Sequence, residues 1–285
     1  MLLSHFKSVL GTPHDDEYNG KRKVSELVRF RVNESQCTSL GESVTEEEIR
    51  EVFWSLKNGK APGPDGYSVG FFKGAWDVVG QEVVAAIKSF FSSGELLKEI
   101  NSTTIALVPK IPNPERVGDY RPISCCNAIY KCISKILANR IKKVLPDLID
   151  PVQSAFVPGR RISDNIFLSQ ELLRGYHRDS KDPRCAMKID IMKAYDNVRW
   201  DFLFDTLEAM GFPEKFINWV KACVTSPSYS ICINGNLNGY FMGRKGLRQG
   251  DPLSPYLFVI VMEMLTRILA EKACNGQFKF LSTSP

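Results

Sequence analysis

The stretch Ala186-Met187-Lys188-Ile189-Asp190-Ile191-Met192-Lys193-Ala194-Tyr195-Asp196-Asn197-Val198-Arg199-Trp200 constrains the fold most, because the period of its apolar residues changes partway along it. Met187, Ile189 and Ile191 alternate with Lys188 and Asp190, the period of two that a half-buried strand requires. Beyond it Trp200, Leu203, Phe204, Leu207 and Met210 recur at helical spacing until Gly211 and Pro213 end the pattern. A strand that presents Asp190 on its open face, just before a helix, suits the holding of a hard divalent cation, which takes oxygen ligands. An ordinary solvated aspartate fits the same pattern, and this stretch alone does not separate the two.

Elsewhere the apolar pattern alternates between helical and strand periods, which predicts an α+β fold. Residues 1–42 have no sustained periodicity, contain the basic run Lys21-Arg22-Lys23, and read as a poorly ordered leader or linker. A capping box, Thr45-Glu46-Glu47-Glu48, then opens a helix that stops at Asn58-Gly59, before the rigid loop Lys60 to Gly66. That loop has glycines and a lysine but lacks the phosphate-cradling pattern in which Lys-Ser/Thr opens a helix. Two helical patterns over 67–93 precede a strand at Thr103 to Pro109, which leads into Lys110; a Pro-rich loop then carries the chain to Arg121, so the two cations are expected side by side. An amphipathic helix over 127–145 sets Lys142 and Lys143 outside, and a further helix runs from about Ser163 to Tyr176. A hairpin at Tyr229 to Met242 turns on Asn234-Gly235, a helix runs from about 254 to 273, and Gln277 to Leu281 starts a further strand.

Composition narrows the function classes. With 285 residues and 44% hydrophobic content, the chain can bury one large core or two lobes. The longest apolar run, Tyr256 to Met262, falls far short of the ~18 residues of a membrane span, so no membrane partner is expected. No secretory signal opens the chain, and the eight cysteines form no CxxC pair, which favours reduced thiols in an intracellular protein. The net charge of +5 is uneven: Lys110 to Lys181 holds 13 Lys/Arg against 7 Asp/Glu, leaving the rest of the chain at −1. Such a surplus, with Arg160 and Arg161 following Gly159, suits a polyanion, although a merely solvated basic face has the same composition.

Five segments in fixed order carry a resemblance that none carries singly: Asn58 to Gly66, Ala106 to Lys110, Asp119 to Ala128, Met187 to Trp200 and Gly246 to Phe258. With their Tyr-Arg-Pro-Ile-Ser, Lys-Ile-Asp-Ile-x-Lys-Ala-Tyr-Asp and Gly-Leu-Arg-Gln-Gly-Asp-Pro-Leu-Ser-Pro motifs, residues 45–281 resemble the reverse transcriptase domain of LINE-type non-LTR retrotransposons, and more distantly group II intron reverse transcriptases. The resemblance implies a right-hand polymerase fold, with fingers over about 43–180 and a partial palm of antiparallel sheet and helices over about 181–281. Asp190 would be the first catalytic and metal-binding aspartate, and the Ile191 carbonyl would also contact the metal. Tyr195, where many LINE-type enzymes have Phe, would lie under the nucleotide sugar and exclude a 2′-hydroxyl. Lys110 and Arg121 would grip the incoming triphosphate, and Gln249 and Gly250 would pack against the nascent base pair and the template. Asp196 reads as a structural acid bracing the following helix. The implied partners are an RNA template, a DNA primer and deoxynucleoside triphosphates, with no protein partner inferable.

The chemistry implied is a two-metal transfer with Mg²⁺, the ions about 3.5–4 Å apart, which requires more than one carboxylate. The family supplies the others from a Tyr/Phe-x-Asp-Asp hairpin, whereas the only Asp-Asp here is Asp15-Asp16 in the leader. The expectation is a chain that stops before that hairpin, with 282–285 as a truncated end, without a thumb or a preceding endonuclease domain, and without polymerase activity by itself. Two other readings stand beside it. Arg160, Arg161, Lys142 and Lys143 are the expected nucleic-acid-binding residues, and one alternative is a non-catalytic nucleic-acid-binding remnant that uses the whole basic segment 110–181 for phosphate contacts. The other is a fragment with no stable fold, in which the unpaired strand bearing Asp190 exposes an apolar edge.

Overall fold

The computed structural model describes residues 2–174 and 185–280. Helices α1 (Leu2–Gly11), α2 (Lys21–Leu27), α3 (Glu34–Gly41), α4 (Glu46–Ser55), α5 (Val69–Gly74) and α6 (Trp76–Ser93) lead to strands β1 (Ser102–Pro109) and β2 (Tyr120–Cys126). Helices α7 (Ala128–Leu148), α8 (Ile162–Leu173), α9 (Trp200–Ala209) and α10 (Glu214–Thr225) follow, then strands β3 (Ser228–Ile233) and β4 (Asn236–Met242) and helix α11 (Ser254–Cys274). The α+β expectation is met.

Local signals explain many of the boundaries. At the start of α4, Thr45 Oγ1 accepts from the Glu48 N–H at 3.1 Å. Glu48 does not complete the capping box: its carboxylate accepts from Arg140 of α7 at 3.0 Å instead, so a local cap becomes a tertiary tie. Asn234 and Gly235, at φ 51° and 81°, make the left-handed turn that joins β3 to β4.

The four strands form one sheet in the order β2-β1-β3-β4. β1 pairs antiparallel with β2, opposing Val108 to Arg121, and β3 pairs antiparallel with β4. β1 and β3 run parallel, with Ile105 beside Ile231, so the sheet is mixed rather than wholly antiparallel. Helices α7 to α10 supply the long crossover that a parallel pair demands. The main core gathers round α7, whose Tyr130, Ile133, Ile136, Leu137 and Ile141 are buried.

Three expectations are corrected. The first concerns residues 1–42, which are not a loose leader: α1 to α3 lie there, and Phe6, Leu10, Val24 and Leu40 are buried. The i, i+4 pair Phe6 and Leu10 closes a second, smaller cluster over Ile105, Tyr229, Ile231 and Phe241 of the sheet. The second is the strand expected at Met187 to Ile191, which does not form. Alternation yields a strand only when a neighbour takes its N–H and C=O groups, and none of the four strands pairs with this segment. Met187 and Ile189 accordingly stand 79% and 62% exposed. The third is the strand from Gln277, absent over 277–280. Leu281, the end at 282–285, and the expected helix end at Tyr176 lie outside the described residues, as do Lys181 and the expected fingers–palm boundary beside it.

Candidate active site

One cavity of about 670 Å³ brings together segments far apart in the chain. The end of β1 and start of β2 line it with Lys110, Tyr120, Arg121 and Pro122; the turn after the unpaired segment adds Asp190 to Asp196; the loop before α11 adds Gln249 and Gly250. All seven residues singled out for catalysis and nucleotide binding, Lys110, Arg121, Asp190, Ile191, Tyr195, Gln249 and Gly250, thus share one cavity. Lys110 stands at the end of β1, where its N–H donates to Asp119 O at 2.7 Å and its Nζ to Gly118 O at 2.7 Å. Arg121 projects from β2, and among the described residues neither it nor Asp190 makes a side-chain hydrogen bond or ion pair.

Tyr195 is held face to face on Phe258 of α11, with ring centroids 4.7 Å apart and planes at 15°. Its carbonyl accepts from the Leu247 N–H at 2.8 Å, and burial pushes its phenol above the ordinary range. Among the described residues Asp196 makes no hydrogen bond to α9; the Phe202 N–H in that helix's first turn donates instead to Asp201 Oδ1 at 2.8 Å. Asp196 is buried, and its Oδ1 accepts from Gln249 Nε2 at 3.4 Å, so it faces the cleft residue that follows 53 positions later. Burial raises its carboxyl, opposed by the Gln249 bond and the charges of Lys193 and Lys110. Gly246, at φ 81°, lets the two segments meet: a Cβ there would lie 2.7 Å from Asp196 O.

A buried polar network fixes the loop that bears Gln249 and Gly250. Arg248 pairs with Asp251 at 3.2 Å, donates to Asn101 Oδ1 at 2.7 Å and to Cys223 O at 3.0 Å, and lies 4.0 Å from the centre of the Tyr130 ring. Asp251 in turn accepts from the Tyr130 hydroxyl at 2.6 Å and from Ser134. At the surface of this network the Ser124 N–H of β2 donates to Gln249 O at 2.7 Å, which ties the loop to the strand bearing Arg121.

Not every expected residue joins the cleft. Arg160 spends its guanidinium on four backbone carbonyls, Pro146, Ile149, Asp150 and Gln153, at the end of α7, where cations complement the helix dipole. Those bonds tie the loop after α7 to the end of the helix. Arg161, Lys142 and Lys143 are exposed, away from the cavity. In the other direction the cavity includes His5, Phe6 and Val9 of α1 and Lys193, which were not singled out. Lys193 lies within the stretch Ala186 to Trp200; nothing local in α1 marks it as a cleft wall, since the His5–Lys193 contact joins residues 188 positions apart.

Comparison with known proteins decides the family. Residues 108–281 match the family described as reverse transcriptase (RNA-dependent DNA polymerase). The chain belongs to the reverse transcriptase family. Its relatives include the Transposon TX1 uncharacterized 149 kDa protein of Xenopus laevis, 31% identical over 85% of this chain and 18% of that protein. The retrovirus-related Pol polyprotein from type-2 retrotransposable element R2DM of Drosophila melanogaster is 30% identical over 80% of the chain and 21% of its own length. The probable RNA-directed DNA polymerase from transposon BS of the same fly is 25% identical over 75% of the chain and 24% of its own length. The expected kinship with non-LTR retrotransposon reverse transcriptases is borne out, and the chain spans about a fifth of the length of these relatives. The match takes in every cleft residue except those of α1.

The cleft's donor set bears on the metal the family uses. Asp190 and the Ile191 carbonyl offer oxygen, which suits an ion that binds through one or two carboxylates and completes its shell with water and substrate phosphate. No group of three or more metal-ligating side chains occurs among the described residues. No helix among them is long and apolar enough to cross a membrane.

Proposed function

We propose that these residues form the nucleotide-binding cleft of an RNA-directed DNA polymerase domain from a non-LTR retrotransposon. The observation that carries this reading is the convergence of Lys110, Arg121, Asp190, Tyr195 and Gln249 on one cavity from four separate segments. β1, β2 and the elements before about residue 180 act as fingers of a right-hand fold, and the segments from about 181 as part of its palm. Lys110 and Arg121 carry no carboxylate partner among the described residues, which leaves both cations available to phosphate oxygens; Arg121 offers a planar fork and Lys110 a point charge. Tyr195, held by Phe258, forms the floor beneath the sugar and leaves no room for a 2′-hydroxyl. Gln249, steadied by Asp196, faces the base pair being formed. Asp190 and the Ile191 carbonyl would hold Mg²⁺, which when bound would supply charge stabilisation for an in-line phosphoryl transfer. The template RNA and DNA primer are partners of this cleft.

Equilibrium binding of dTTP to the purified chain, with and without Mg²⁺, tests the proposal. Lys110→Ala and Arg121→Ala should each weaken dTTP about tenfold or more, the loss expected for a charge-assisted hydrogen bond. Asp190→Asn should abolish the gain from Mg²⁺ while sparing metal-free binding. Wild-type affinity in all three variants would refute the reading.

A further inference from the structure

We propose that Lys193 is a third phosphate-binding cation of this cleft and that His5 of α1 is the residue that positions it. The inference rests on the nucleotide-cleft reading and adds two residues to it. Three cations line the cavity, Lys110, Arg121 and Lys193, and among the described residues none of them pairs with a carboxylate. Cations that share a cavity repel one another, and this arrangement is costly until an anion enters. A triphosphate carries more negative charge than two of them offset.

The turn holding Lys193 is built around it. Its φ of 51° is a left-handed conformation that non-glycine residues rarely adopt, which turns the lysine into the cavity at a cost in backbone strain. Asn197 closes the turn, its N–H donating to Lys193 O at 3.1 Å and its Nδ2 to Met192 O at 3.3 Å. The Lys193 ammonium lies 3.3 Å from His5 Nε2. An ammonium is a donor only, so His5 must present a bare nitrogen; burial and the charge of Lys193 both keep its imidazole neutral. One N–H is spent on His5 and two remain for phosphate oxygens. α1 cannot drift away with His5, because Phe6 and Leu10 are buried against the sheet and Leu10 O accepts from the Arg244 N–H at 2.8 Å.

Titration of the purified chain with dTTP, inorganic tripolyphosphate and thymidine, each without metal, tests the assignment. Lys193→Gln should weaken dTTP and tripolyphosphate about tenfold and leave thymidine unchanged, and Lys193→Arg, which keeps the charge, should restore most of the loss. His5→Phe should weaken dTTP severalfold alone but add nothing in the Lys193→Gln background, since it acts through that lysine. Lys193 is exposed and His5 half-buried, so both variants should fold; circular dichroism checks this. Wild-type affinity in Lys193→Gln, while Lys110→Ala and Arg121→Ala lose dTTP, would overturn the assignment and leave the cleft standing. Wild-type affinity in all three would overturn the cleft itself. Tighter binding in His5→Phe would overturn the positioning role.

Discussion

Tyr195 and Asp196 are neighbours in sequence with different physical tasks. The Tyr195 ring is supported by Phe258 at 4.7 Å, a stack that contributes about 0.5–1.5 kcal/mol beyond area burial. Tyr195→Phe should therefore keep both stability and sugar discrimination, whereas Tyr195→Ala should let UTP compete with dTTP more nearly equally, as competition binding would register. Asp196 is buried with one long hydrogen bond, and its carboxyl is raised above the ordinary 3.8. The folded state thus holds that proton more tightly than the unfolded chain does. Its contribution to stability is greatest below the unfolded value and is lost as pH rises through the folded one. Asp196→Asn should accordingly stabilise the protein at pH 7 and flatten the slope of stability against pH from about 4 upward, measured by urea denaturation at several pH values.

At the scale of elements, the loop before α11 depends on a charge pair buried almost completely from water. Arg248 and Asp251 are both almost fully buried and tied to Tyr130, Ser134 and Asn101. Asp251→Ala would leave the Arg248 charge in the interior without its counter-ion, and should cost about 3–5 kcal/mol of unfolding free energy in a denaturant melt. Because Gln249 and Gly250 sit on the same loop, dTTP affinity should fall with it. The segment at Met187 to Ile191 has the opposite character: alternating and strand-like in sequence, it lacks a pairing neighbour and leaves its apolar residues in water. α8 behaves likewise, with Ile166, Phe167 and Leu168 exposed and no residue buried. These two elements have the composition of a covered surface and the placement of an open one.

Across the whole molecule, two apolar clusters and one cleft are organised by the mixed sheet. The main core stabilises the helices round α7, and the smaller one fastens α1 over the sheet and against the cavity. Exposed cations on α7 and at Arg161 lie outside the cleft. Lys142→Glu with Lys143→Glu should weaken binding of a primer–template duplex without altering dTTP affinity. The wild-type affinity for duplex should fall linearly with the logarithm of salt concentration in filter binding, with a shallower slope in the double variant.

Much of the cleft was legible because its chemistry resides in residue type. Asp190, Lys110, Arg121, Tyr195 and Gln249 can be selected from motifs without coordinates, and helices α4 to α7 and the β3–β4 turn follow from periodicity, caps and an Asn-Gly pair. By themselves the 285 residues determined the motifs that point to these groups and most of the helices around them, since residue type and local propensity act within a few residues. Tertiary structure alone decided the rest: the parallel pairing of β1 with β3, the loss of the strand at Met187 to Ile191, the use of Arg160 as a brace and the return of α1 to the cleft. Each depends on partners distant in sequence, and a strand, an ion pair or a cavity wall exists only when both sides of the contact are present.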